Sequence, residues 1–166
     1  SKMSHSQDPS TPEPAAAGSS PDRADEIIRR IGAHLLGGVP DGWRRLDYQV
    51  TMATMVEDHK LTAIMGDGAA LTGNPPMELK PDLAELRKEM YQPGRGTWFS
   101  MRLVLDPPDA YTVHFNFDLD PGWEPPVPPE VFRRDLQAFP RDDAHVPDWL
   151  RAQLAAGPDA TEGTPA

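Results

Sequence analysis

The chain is expected to fold as an α+β domain, an antiparallel sheet of about four or more strands with helices packed mainly on one face. Two observations predict this. Between Trp98 and Trp123 two runs alternate with period two around an Asp106-Pro107-Pro108-Asp109 turn. Phe99, Met101, Leu103 and Leu105 share a face opposite Trp98, Ser100, Arg102 and Val104, and Tyr111, Val113, Phe115 and Phe117 oppose Thr112, His114, Asn116 and Asp118. Alternation of this kind, rich in aromatic and β-branched residues, marks half-buried antiparallel strands. The second observation is order: helical patterns interrupt two strand pairs instead of alternating with single strands, which favours hairpins over parallel crossovers.

Residues 1–20 are rich in Ser, Pro and Ala and lack apolar periodicity. They cannot bury enough surface to offset ordering entropy and are expected to be a disordered tail. The domain is placed at 21–156. Ser20-Pro21-Asp22 reads as a helix start, followed by Ile27, Ile28, Ile31 and Leu35 at helical spacing and a Gly37-Gly38 stop. Leu46, Tyr48, Val50, Met52 and Val56 alternate in a first strand over 43–56, Glu57-Asp58-His59 forms a polar turn, and 61–65 is a short second strand. Gly66-Asp67-Gly68 and Gly73-Asn74-Pro75-Pro76 bracket a loop. Leu79, Leu83, Leu86 and Met90 define a second amphipathic helix, with Glu85, Arg87, Lys88 and Glu89 between them. After the hairpin and a proline connector over 121–129, Phe132, Leu136 and Phe139 mark a third helix ended by Pro140. Pro147-Asp148 opens a short last helix, and 157–166 returns to tail composition. One domain suits the length of 166 residues.

The formal charge is −10, from 26 acidic and 16 basic residues. That balance argues against nucleic-acid or anionic-membrane partners, which select clustered Lys and Arg. The acid is uneven: 106–148 holds ten Asp and Glu against Arg133, Arg134 and Arg141. Such a surface suits a basic protein partner, although solvation alone accounts for most acidic surfaces. No cysteine is present, which excludes disulfides, thiolate metal sites and cysteine nucleophiles. No run of about 18 apolar residues is long enough to span a membrane. The amino terminus has no basic-then-apolar signal pattern, so a cytoplasmic location is expected.

No catalytic constellation emerges, and no catalytic, cofactor-binding or metal-ligating residue is assigned. Ser100 lies mid-strand without a Gly-x-Ser-x-Gly elbow, and the five histidines are scattered without zinc-ligand spacing. Gly66-Asp67-Gly68 lacks the lysine and spacing of a phosphate loop, so a turn is the simpler reading. Asp118-Leu119-Asp120-Pro121-Gly122 has two alternate acids but not the further acid and distal Glu of a calcium loop. His114, beside Asn116 and Asp118, is the one residue to weigh as a base, and an ordinary sheet-face role is the simpler reading. The four tryptophans fall at element boundaries, where an indole closes a core end or anchors an interface.

From Glu85 to Asp118 the chain reads ELRKEMYQPGRGTWFSMRLVLDPPDAYTVHFNFD, and VFRRDLQAFPRDDAHVPDWL follows the connector. A Leu-Arg helix, a strand of the form W-x-x-M-R-L-x-L, a turn and an aromatic strand ending in Phe-Asp resemble the YezG-type immunity proteins of bacterial polymorphic toxin systems. The Phe-Pro-Arg and Val-Pro-Asp-Trp-Leu segments resemble actinobacterial relatives, and the resemblance covers Gly42 to Leu154. It implies an α+β protein without catalysis or cofactor that neutralises a cognate toxin, encoded by an adjacent gene, by occluding its active site. The expected partner-binding residues are Trp98, Arg102, Asp106, Asp109, His114, Asn116, Asp118, Asp120, Trp123 and Glu124. The protein itself is expected to be a monomer or weak homodimer. The alternative reading is a secretion chaperone or small-ligand binding module using the open face of the sheet.

Overall fold

The computed structural model describes residues 4–5 and 21–161. Helix α1 (Pro21–Leu36) follows β1 (Ser4–His5), and two long strands, β2 (Trp43–Ala53) and β3 (Val56–Met65), form the first hairpin. Strand β4 (Ala70–Gly73), helix α2 (Leu79–Glu89), and the hairpin of β5 (Ser100–Asp106) and β6 (Ala110–Asn116) come next. Helices α3 (Pro129–Ala138) and α4 (Asp148–Thr161) complete the fold, with a 3-10 turn (Asp143–His145) between them.

The strands make one sheet in the order β1-β6-β5-β2-β3-β4. Five of them, β6 to β4, are antiparallel to their neighbours, and β1 adds two residues in parallel beside Ala110 and Tyr111. The α+β expectation holds. One face carries Leu46, Tyr48, Val50 and Met52 of β2, Met101, Leu103 and Leu105 of β5, and Tyr111 and Val113 of β6, as period two dictates. These join Ile27, Ile31 and Leu35 of α1 and Leu79, Leu83 and Leu86 of α2 in the main core. Arg30 fastens the two helices by bonding Asp82 at 3.1 Å and Glu85 at 3.0 Å.

Helices α3 and α4 do not lie on that face. They close the end of the sheet where β5 starts, around a second core of Phe99, Phe132 and Leu150. Phe99, Phe132 and Trp149 meet edge to face, with centroids 5.4 to 6.3 Å apart, the geometry that ring quadrupoles favour.

Several boundaries differ from expectation. The first hairpin turns at Thr54-Met55, so Glu57-Asp58-His59 belongs to β3, opposite Met52, Thr51 and Val50. Its polar residues gave no alternation signal, yet Glu57 and His59 are anchored by side-chain bonds. The stretch 70–73, expected as loop, pairs with β3 as β4. A bend at Phe99 resets the period, so Ser100 begins the strand, and Trp98 enters the main core while Phe99 enters the second. Backbone helix in α4 continues to Thr161, five residues beyond the expected end of the domain at 156. The tail expectations for 1–20 and 162–166 fall outside the described residues, apart from Ser4–His5.

Candidate partner-binding surface

The face of the sheet away from α1 and α2 is polar. Gln49 stands between Lys60 and Arg102, and Arg102 stands opposite His114. A second row runs Asp58, Thr51, Ser100, Asn116. Two charge pairs cross it. Arg45 gives two bonds to Asp106, at 2.8 and 3.2 Å, and Arg102 grips Asp47 in the same forked manner. These hydrogen bonds, more than the charge attraction, raise both guanidinium pKa values further above the ordinary arginine range. Both arginines are solvent-exposed, so the pairs fix orientation while adding little stability.

Three expected residues converge. Arg102, His114 and Asn116, with Gln49, Thr51, Ser100 and Pro121, line a shallow depression of about 250 Å³. Asn116 also clamps the loop that follows: its Oδ1 accepts from the Leu119 N–H at 2.8 Å, and its Nδ2 donates to the Leu119 carbonyl at 2.9 Å. Asp118 takes Arg141 at 3.2 Å and Arg95 at 3.5 Å, and its carbonyl accepts from Trp149 Nε1 at 2.7 Å. Asp120 accepts from the Gly122 N–H at 3.0 Å. The loop is therefore held on several sides while Asp118, Leu119 and Asp120 remain exposed, Leu119 at 72%.

The five acids Asp106, Asp109, Asp118, Asp120 and Glu124 do not form one patch. Asp106 and Asp109 flank the β5–β6 turn, and the others follow the opposite end of β6. Six residue steps of strand separate the two groups by about 20 Å. Of the two tryptophans, Trp98 is fully buried and tilted against Phe115 at 5.6 Å, so it is core and not rim. The bend at Phe99 is the reason, because it removes Trp98 from the alternation that would have put it beside Arg102. Trp123 is half-buried against the second core, and Glu124 is exposed.

Two polar systems escaped sequence reasoning. Arg87, expected on the outside of α2, is buried and bonded to Asp135 of α3. Thr54 adds its N–H and hydroxyl to Asp135, each at 2.7 Å, and Arg87 Nε donates to the Trp98 carbonyl at 2.7 Å. Thr97 donates to the Arg87 carbonyl at 2.7 Å. The second system runs Tyr48, His59, Glu57, Lys80. Lys80 pairs with the Glu57 carboxylate at 3.2 Å, which stands 3.2 Å from His59 Nε2, while His59 Nδ1 is hydrogen-bonded to the Tyr48 hydroxyl at 2.6 Å. Burial, assisted by Glu57, pushes the Tyr48 phenol above its ordinary pKa.

Arg141 is the latch of the acidic loop. Its side chain is nearly fully buried and donates to the Thr97 and Phe117 carbonyls at 3.1 and 2.6 Å and to the His145 carbonyl at 2.9 Å. Burial draws its pKa below the usual arginine value, against the opposing pull of Asp118. Gly96, at φ +99°, makes room for it: a Cβ there would stand 2.3 Å from Arg141 Nε.

Among the described residues no group of three or more His, Cys, Asp and Glu is placed to hold a metal ion. No described helix is long and apolar enough to cross a membrane. No known family model matches the chain, and no curated protein matches it.

Proposed function

We propose that the chain is an immunity protein of a bacterial polymorphic toxin system, acting in the cytoplasm by occluding a cognate toxin without catalysis of its own. The observation that carries this reading is the acidic loop after β6. Arg141, Asn116 and Trp149 hold it in one conformation while Asp118, Leu119 and Asp120 face solvent. A pre-ordered loop loses little entropy on binding. Carboxylates around an apolar side chain suit a basic, pocketed toxin surface and accelerate encounter with it. The resemblance of Glu85 to Asp118 to YezG-type immunity proteins supports the same reading.

The test mixes purified protein with the product of the adjacent gene at equimolar ratio. A one-to-one complex with the toxic activity abolished is the expected result. Full residual activity, or no complex, rejects the reading.

A second reading has its own support. The depression beside Gln49, Arg102, His114 and Asn116 offers donors and acceptors of a kind that fixes a small polar ligand. Binding of such a ligand, blocked by substitutions at Gln49 and His114, would favour that reading over toxin neutralisation.

A further inference from the structure

The outer edge of β4 carries a complete set of instructions for pairing. In the turn before it, the Met65 N–H donates to the Ala69 carbonyl at 2.8 Å, and Ile64 stands opposite Ala70. Antiparallel ladders alternate between hydrogen-bonded and non-hydrogen-bonded pairs. Residues 65 and 69 are a bonded pair, so 63 with 71 and 61 with 73 are bonded too, while 64 with 70 and 62 with 72 are not. The N–H and C=O groups of Ala70 and Thr72 consequently point away from β3, out of the sheet. All four residues of β4 are exposed, and among the described residues no strand lies beyond them.

Natural sheets protect such edges with charged side chains. Here Ala70-Leu71-Thr72-Gly73 has none, although 25% of the chain is charged. Leu71 lies on the helix side of the sheet, 44% exposed. Beside it an apolar groove of about 270 Å³ runs along Leu35, Val39, Pro40, Leu61 and Ala63, and no Asp, Glu, Lys or Arg lines it. For a protein of net charge −10, two copies can meet here without opposing like charges.

We propose that this edge is a self-association site, at which β4 of one copy pairs antiparallel with β4 of a second across a twofold axis, Leu71 opposite Leu71. The register follows from the strand. Directly opposed residues share a face, so the axis passes through a residue and not between two. Centred on Leu71, Ala70 of each copy faces Thr72 of the other, and all outward groups of both residues are bonded. Centred on Thr72, the Ala70 groups fall opposite Asn74, beyond the strand. The first register makes the leucines a non-hydrogen-bonded pair, the closer kind, and sets them side by side at the mouths of the two grooves. Four-residue strands bury well under the roughly 800 Å² per partner of a stable complex. The association is accordingly weak and concentration-dependent, and it is independent of the toxin reading.

Sedimentation of the full chain from about 10 μM to about 1 mM, the range in which so small an interface fills, tests this. The weight-average mass is expected to climb from 18.3 kDa toward twice that value. Leu71→Lys sets two charges against each other at the axis, and Thr72→Pro removes an outward N–H that β3 does not use. Both are expected to stay monomeric with unchanged circular dichroism. Met55→Lys alters a residue 53% exposed in the β2–β3 turn, beyond the stretch of β3 that β4 pairs with, and is expected to associate as the parent does. A measurement free of substitution is amide exchange, which slows at Ala70 and Thr72 as concentration rises. A parent that stays monomeric throughout, or edge variants that associate as it does, or exchange at Ala70 and Thr72 indifferent to concentration, overturns the proposal.

Discussion

Arg87 and Asp135, 48 residues apart, meet as a fork inside the protein. Nη1 donates to Oδ1 at 2.6 Å and Nη2 to Oδ2 at 3.0 Å, with 3% and 4% of the side chains exposed. The guanidinium lies over the rings of Phe139, Phe99 and Trp98, at 5.1, 5.6 and 5.9 Å from their centroids. With the Thr54 N–H and hydroxyl both donating to Oδ1, each carboxylate oxygen is hydrogen-bonded, as a desolvated ion pair requires.

Breaking it from one side leaves a buried charge unmatched. Asp135→Asn and Arg87→Met are each expected to lower unfolding free energy by about 3–5 kcal/mol in urea titrations. The double variant Arg87→Met/Asp135→Leu is expected to lose less than the two singles added together. Additive losses would show that the pair does not act as a unit.

The Arg141 latch depends on an empty space at Gly96. Gly96→Ala is expected to cost at least about 2 kcal/mol, from the left-handed backbone and the collision with the guanidinium. In an Arg141→Ala background the same substitution is expected to cost clearly less, because only the backbone strain remains. Equal costs in both backgrounds would remove Arg141 from the explanation.

Alkaline pH is expected to unfold the protein through its phenols. Burial raises the pKa of Tyr48 and, with the hydrogen bond to Asp25, of Tyr111. An unfolded phenol ionises near pH 10, and a folded one with a raised pKa does not. Their contribution is whole below about pH 10 and is lost progressively above it, because the unfolded state then releases protons first. Tm is expected to fall from about pH 10 upward, and Tyr48→Phe is expected to flatten that fall. Absorbance of phenolate at these two sites should appear only with unfolding.

For the proposed toxin complex, the two ends of β6 make separate predictions. Asp120→Lys and Glu124→Lys are expected to slow association by about tenfold at low salt, with the effect fading in high salt. Asp118→Lys would confound the test, since Asp118 also holds Arg141 and Arg95. Asp109→Lys, at the other end, is expected to change little; a larger effect there would move the contact to the β5–β6 turn.

Much of this fold was legible because burial repeats. Leu79, Leu83 and Leu86, or Met101, Leu103 and Leu105, declare a face through spacing alone. Residues whose partners are remote do not. Arg87 reads as one charge in a Leu-Arg-Lys-Glu run, and nothing local couples it to Asp135. Glu57 and His59 read as a turn because the Lys80 and Tyr48 that satisfy them lie elsewhere. Trp98 was misplaced by one bend. At the surface, Arg102, His114 and Asn116 line one depression, since strand register carries them together. Asp106 was grouped with Asp118 through nearness in sequence and charge, which a strand converts into distance.

The same buried pair bears on the order in which the chain can finish folding. Every strand of the sheet has been synthesised once Asn116 has left the ribosome, and α1 and α2 with it. Arg87 at that moment has no carboxylate, and Thr54 has no acceptor, because both wait for Asp135. A nascent chain can assemble its main core early, yet the end of the sheet stays hydrated until α3 emerges. A product truncated before α3 would lack Asp135 and Phe132, and with them the groups that seal this end of the sheet.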